Sequence, residues 1–195
     1  MAVAAALAMA LPWEPTARLT MAASPRIALL MPLGAHLMTG EFGQGRGQAT
    51  ILLSHTHWDH IQGLGFFEPL FRPATEVHIW GPSSTTLNLR TRLSRYLSPP
   101  LFPVSLSELP SRLTFHEVPC HDADIGEFRV TSALVCHPGP TVGYRIAEAG
   151  GSVTTYLPDH EPALGSARFP GLPRAWTSGG ALAADADLLI YDGQY

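Results

Sequence analysis

One stretch constrains this chain more than any other: Ser54-His55-Thr56-His57-Trp58-Asp59-His60, which continues directly from the apolar run Thr50-Ile51-Leu52-Leu53. Thr50–Ser54 reads as a buried strand, so three imidazoles and a carboxylate crowd its end. In an extended segment, side chains two apart point the same way. His55 and His57 can therefore converge on one point while Asp59 and His60 turn towards a neighbouring one. Such groups beside a buried strand are costly unless a cation or a complete hydrogen-bond network satisfies them. Neutral imidazole and carboxylate suit zinc, and three protein ligands leave a position for water. The bland alternative is a surface loop that happens to be rich in histidine; four ligand-type positions at fixed spacing favour the metal.

The rest of the chain is consistent with one folded domain around that stretch. Its 195 residues can bury a substantial core, and 46% hydrophobic against 14% charged residues reads as globular. A formal charge of −4 provides no field to gather nucleic acid, although Arg90, Arg92 and Arg95 form a small local basic patch. No apolar run reaches the length of a membrane span. Residues 2–12 resemble the apolar part of a signal peptide without a preceding Lys or Arg. Cys120 and Cys136 show neither finger spacing nor a disulfide framework, so the expected setting is cytoplasmic.

Residues 1–25 are alanine-rich and aperiodic, and are expected to be poorly ordered or atypical; the domain proper is expected over 26–195. Pattern reading predicts strands at Ile27–Met31, Thr50–Ser54, Glu76–Trp80, Leu113–Val118, Glu127–Cys136, Val142–Ala147, Val153–Leu157 and Asp187–Tyr191. It predicts helices at Ala35–Phe42, Leu64–Phe71 and Ser84–Leu97, the last capped by Ser83 or Ser84. A turn is expected at Gly45-Arg46-Gly47, a proline-rich loop over 98–111 and a hairpin turn at Gly150-Gly151. Helices before and between strands imply a layered α/β domain. His36, His78 and His116 have no ligand-like company. His121 with Asp122 and Asp124 could form a small second metal site, but a solvated loop is the preferred reading. Trp58 and Phe66-Phe67 could wall a pocket, although aromatics there are more often core.

His-Thr-His-Trp-Asp-His resembles the H-x-H-x-D-H signature of metallo-β-lactamase-fold hydrolases. Further likenesses follow in order: Ile61-Gln62-Gly63-Leu64, His137-Pro138-Gly139, Gly143-Tyr144-Arg145, and Tyr156-Leu157-Pro158-Asp159-His160-Glu161-Pro162. Together they look like the branch containing cyclic-phosphate and cyclic-nucleotide phosphodiesterases and tRNA 3′-processing nucleases. The resemblance implies a four-layer αββα sandwich. It implies one zinc on His55, His57 and His137, a second on Asp59 and His60, and Asp159 bridging them. His137 and Asp159 each follow a predicted strand, so their placement at a sheet rim agrees with that implication. A zinc pair lowers the pKa of a shared water so that hydroxide is available near neutral pH, and Asp59 is the candidate catalytic residue that orients it. His160, beside Asp159, could serve as an outer partner or proton carrier.

The ligand set does not choose the substrate. Resemblance favours a small-molecule phosphodiester such as a cyclic nucleotide or cyclic phosphate; a homodimer is compatible, and nucleic acid and membrane partners are disfavoured. Rival readings are a thioester, lactone or lactam hydrolase, a degenerate metal-binding domain without activity, and an oxygen-activating iron enzyme. Two departures stand out. No histidine follows His160 to complete the second metal site, and Leu30-Met31-Pro32-Leu33-Gly34 lacks the aspartate of the usual Asp-Ala-Gly-type turn. Both ends thus read as incomplete, with a sound first zinc site and a weakened second one expected.

Overall fold

The computed structural model describes residues 26–29, 47–118, 122–126, 128–162 and 177–191. The atypical 1–25 segment, the helix expected at Ala35–Phe42, Gly45-Arg46, His36, Cys120 and His121 lie outside them. Among the described residues, no helix is long and apolar enough to cross a membrane.

Two sheets face each other. The first joins β1 (Arg26–Leu29), β2 (Gly47–Leu52), β3 (Thr75–Pro82) and β4 (Arg112–Val118) in that order, every pair parallel. Parallel neighbours need a crossover. The β2–β3 crossover carries α1 (Trp58–Ile61) and two 3-10 turns, Gln62–Phe66 and Glu68–Phe71; the β3–β4 crossover carries α2 (Leu89–Tyr96). The second sheet runs β5 (Asp122–Ile125), β6 (Phe128–Leu134), β7 (Val142–Glu148), β8 (Val153–Leu157) and β9 (Leu188–Tyr191). It is antiparallel except for the β8–β9 pair. A short helix, α3 (Gly180–Ala183), precedes β9.

Alternation along the strands builds the layers. Ile51 and Leu53 turn outward with Val77 and Ile79 to meet Leu64, Phe67, Leu89, Leu93 and Leu97 under α2. Leu52, between them in sequence, turns inward to Val118, Val130, Tyr144 and Tyr156 of the intersheet core. On the far side Leu182 of α3 packs on Leu157 and Val135. Helix, sheet, sheet, helix: the architecture is the αββα sandwich.

Three local expectations are corrected. The helix predicted over Ser84–Leu97 begins at Leu89, because Asn88 Oδ1 accepts from Thr91 N at 2.8 Å and is the cap. Ser84 is occupied in a local turn, its Oγ accepting from Thr86 N at 3.3 Å. The helix predicted over Leu64–Phe71 is instead the two 3-10 turns, divided at the extended Phe67, with Pro69 at the start of the second and Gly63 and Gly65 loosening the first. Residues 122–125, expected as a loop, form β5; Asp122 and Asp124 pair across it with Arg129 at 2.9 and 3.2 Å. Their charges are thus balanced by an arginine, with Gly126 turning the chain at φ 62°.

Gly143-Tyr144-Arg145 is architectural. Tyr144 is fully buried and its hydroxyl donates to Leu53 O at 2.8 Å, fastening one sheet to the other. Arg145 Nη1 donates to the carbonyls of Leu182 and Ala184 at 2.8 and 2.6 Å, anchoring α3. A Cβ on Gly143 would overlap the Leu157 side chain and lie 2.9 Å from Leu182 Cδ1. Gly143→Ala should therefore destabilise the fold by about 1–3 kcal/mol through overpacking, read as a lowered denaturation midpoint; an unchanged midpoint would contradict this packing.

Candidate metal centre

β2 delivers the first ligands to the seam between the sheets. Past its end, Leu53 N still donates to Trp80 O at 2.8 Å, while Ser54 O accepts from Val142 N of β7 at 2.9 Å. His55 is thereby clamped between both sheets and is 2% exposed. Its Nδ1 meets Ser54 Oγ at 3.0 Å. Its Nε2 is buried without a hydrogen-bond partner, the Asp159 carboxylate standing 3.8 Å away. A buried polar atom left in this way is the kind of group that a bound ion or water satisfies.

His57 remains extended at φ −64°, ψ 150°, and one helical turn begins at Trp58. β6 supplies His137, whose Nε2 faces His57 Nδ1 at 3.1 Å and whose Nδ1 is buried without a hydrogen-bond partner. The loop carrying it turns at Gly139, φ 85°, a conformation that glycine adopts without strain. Asp159 follows β8 in the left-handed region, φ 41°, sparsely populated outside glycine but tolerated by aspartate. Its Oδ2 lies 2.8 Å from His60 Nε2. Glu161 N, donating to Cys136 O at 2.8 Å, ties the two ligand loops together.

Two ligand clusters result. One comprises His55, His57 and His137, the other His55, His60 and Asp159, each with its ligand atoms within 4.8 Å of one another. Imidazole and carboxylate with an orphaned buried Nε2 fit a divalent cation of the zinc type. Burial, then the neighbouring charges of His60, His57 and His137, lowers the His55 pKa to about 3, which keeps the ring neutral as a ligand must be. His137 is also held below its ordinary value, mainly by burial.

The structure groups the residues differently from the sequence reading in two respects: the residue common to both clusters is His55 and not Asp159, and Asp59 stands outside them. His60 stands with His55 and Asp159, whereas Asp59 joins neither cluster and its side chain is 66% exposed. The cause is the helical turn starting at Trp58, which rotates consecutive side chains by about 100° instead of alternating them. Asp59 Oδ2 still lies 3.2 Å from His60 Nε2.

Behind the ligands, His160 is buried, with its Nε2 3.2 Å from Ser178 O and its ring edge-on to Tyr191 at 5.1 Å. Ser178 Oγ accepts from Cys136 N at 2.8 Å, bracing the His137 loop. Sequence reading missed Ser178, because a lone serine distant in sequence carries no signal. His78 and His116 pair with each other at 2.9 Å, and His116 stacks on Trp80 at 4.2 Å.

Because either cluster needs His55 Nε2, whose one lone pair serves one ion, His55→Ala should weaken the tightest zinc site more than His57→Ala or Asp159→Asn does; calorimetric titration of metal-free protein checks this. In that metal-free chain the folded state keeps His55 neutral, whereas the unfolded chain protonates it at its ordinary 6.5. The stabilising contribution is therefore complete above about pH 6.5 and lost as pH falls towards about 3. Urea midpoints should fall over that interval, and less steeply in His55→Asn.

The family described as the beta-lactamase superfamily domain matches residues 33–195, most of the chain. Ribonuclease Z of Thermosynechococcus vestitus is 34% identical over 102 residues, which span 50% of this chain and 23% of that protein. Among solved structures, the metallo-beta-lactamase fold protein YhfI from Bacillus subtilis shares 18% identity at a TM-score of 0.44, over 67% of this chain and 49% of that one. The short form of human tRNase Z shares 22% at 0.45, over 72% and 56%. With most of its length matched by the family, this chain belongs to the beta-lactamase superfamily domain.

Proposed function

We propose that this chain is a zinc-dependent hydrolase acting on a small phosphodiester such as a cyclic nucleotide or cyclic phosphate. The observation that carries the reading is the buried Nε2 of His55, unsatisfied by the protein and shared by two ligand clusters. His55, His57 and His137 would hold one ion through the single free lone pair of His55 Nε2; His60 and Asp159 would then be left to hold a second and weaker one. A divalent ion there supplies Lewis acidity, lowering the pKa of water and neutralising charge on the reacting group.

The chain's own groups do the rest. The Ser54 hydroxyl at His55 Nδ1 fixes the ring so that Nε2 faces the site. Asp59, exposed beside His60, orients the attacking water and accepts its proton. The phosphodiester preference is supported by the likeness to ribonuclease Z over part of the chain and by the order of the later motifs.

The zinc-loaded protein should hydrolyse bis(p-nitrophenyl) phosphate and a 2′,3′-cyclic nucleotide, with a thioester and a lactone assayed in parallel. Asp59→Asn should reduce kcat by roughly 10²–10⁴-fold with a smaller change in KM. Faster turnover of the thioester or lactone would move the reading to those substrates. Tight metal binding without hydrolysis of any ester would make the chain a non-catalytic metal-binding domain.

A further inference from the structure

Beside the ligand loop lies an open hollow of about 420 Å³ that the hydrolytic chemistry does not use. Its volume falls within the range of small-molecule sites, about 300–1,000 Å³. Thr56 and Trp58, on either side of His57, form one wall; Arg92, Arg95 and Tyr96 of α2 form the other, and Leu101 borders it. The hollow thus borders the ligand loop at the two residues that flank His57, while no member of either ligand cluster lines it.

Its walls are unusual for a surface with no task. Trp58 is 61% and Leu101 69% exposed, large apolar groups left uncovered at one spot. Tyr96 stands edge-on to Trp58 at 6.4 Å, and its hydroxyl donates to Gln62 O at 3.0 Å, so the aromatic wall is held in place. The two arginines have different employment. Arg92 donates to Pro82 O, approaches Thr56 Oγ1 at 3.5 Å and pairs with Glu117 at 3.7 Å, which commits it to joining α2 to the ligand loop. Arg95 is exposed, and its guanidinium has no ion pair or hydrogen bond among the described residues. No aspartate or glutamate lines the hollow. A largely exposed indole beside an unpaired guanidinium suits a flat ring that carries negative charge.

We infer that this hollow is a specificity subsite for the non-reacting end of the substrate: a heteroaromatic ring stacks on Trp58, and an anionic group attached to it pairs with Arg95. The inference rests on the hydrolase reading for the reacting end. Trp58 and Arg95 determine which ester is taken; neither belongs to a ligand cluster. Arg92 and Tyr96 hold the walls at their spacing.

The test compares binding of adenosine 5′-monophosphate and ribose 5-phosphate to the zinc-loaded protein by calorimetry. Both ligands carry the same phosphate, so any direct contact of that phosphate with metal cancels in the ratio. The expected result is about tenfold tighter binding of the nucleotide, a gain typical of ring stacking on an aromatic side chain. Trp58→Leu should abolish that advantage, and Arg95→Gln should weaken both ligands several-fold; circular dichroism checks that these exposed substitutions leave the fold intact. Equal affinity for the two ligands, or a nucleotide advantage that survives Trp58→Leu, would overturn the subsite. Ring-dependent binding without hydrolysis of any ester would uphold the subsite and defeat the hydrolase reading. Hydrolysis with equal kcat/KM for esters with and without a ring would do the reverse.

Discussion

The structure turns on the desolvation of one imidazole. His55 lies between two sheets with one ring nitrogen engaged by Ser54 and the other facing inward, unsatisfied by the protein. Burial of this kind is unfavourable in isolation, and the surrounding fold makes sense as the means of imposing it. Ser54 O receives Val142 N from the second sheet, Tyr144 ties that sheet to Leu53, and the β6 and β8 ends bring His137 and Asp159 to the same seam. Four protein groups from three loops surround His55, and a bound cation would reconcile their proximity. Without one, burial and then the neighbouring imidazoles drive its proton affinity down.

The ligand-bearing loops are held by backbone more than by side-chain ion pairs. Glu161 N to Cys136 O and Cys136 N to Ser178 Oγ link the segments after β6 and β8 to the stretch before α3. Arg145 fixes α3 through two carbonyls. Asp159 accepts a left-handed backbone while its carboxylate reaches His60. Strained backbone at a residue that also points a charged group into a cluster marks a place where geometry has been favoured over local ease.

Much of this was legible in the chain itself. The apolar run ending at Leu53 announced a buried strand, and the spacing of His55 and His57 put both rings on one side because the backbone remains extended through His57. Val153–Leu157 was readable as a short run of β-prone residues following the Gly150-Gly151 turn. What was not legible depended on partners distant in sequence. The side of the site on which Asp59 falls is decided by a helical turn starting at Trp58, and four residues give too short a pattern to reveal it. The start of α2 was decided by Asn88 rather than Ser84, both competent caps; only the side-chain hydrogen bonds choose between them. β5 was hidden because Asp122 and Asp124 are poor strand formers in isolation and are held there by Arg129 across the hairpin. The hollow beside Trp58 needed the packing of α2 against the ligand loop before the arginines and the indole could be seen to share a wall.

The direct test is X-ray absorption at the zinc edge of the loaded protein. If His55 and its neighbours converge on the ion, the spectrum should show imidazole multiple scattering from two or more rings, with nitrogen and oxygen ligands at about 2.0–2.1 Å. A shell of light oxygen atoms alone, without imidazole scattering, would mean that these histidines do not hold the metal.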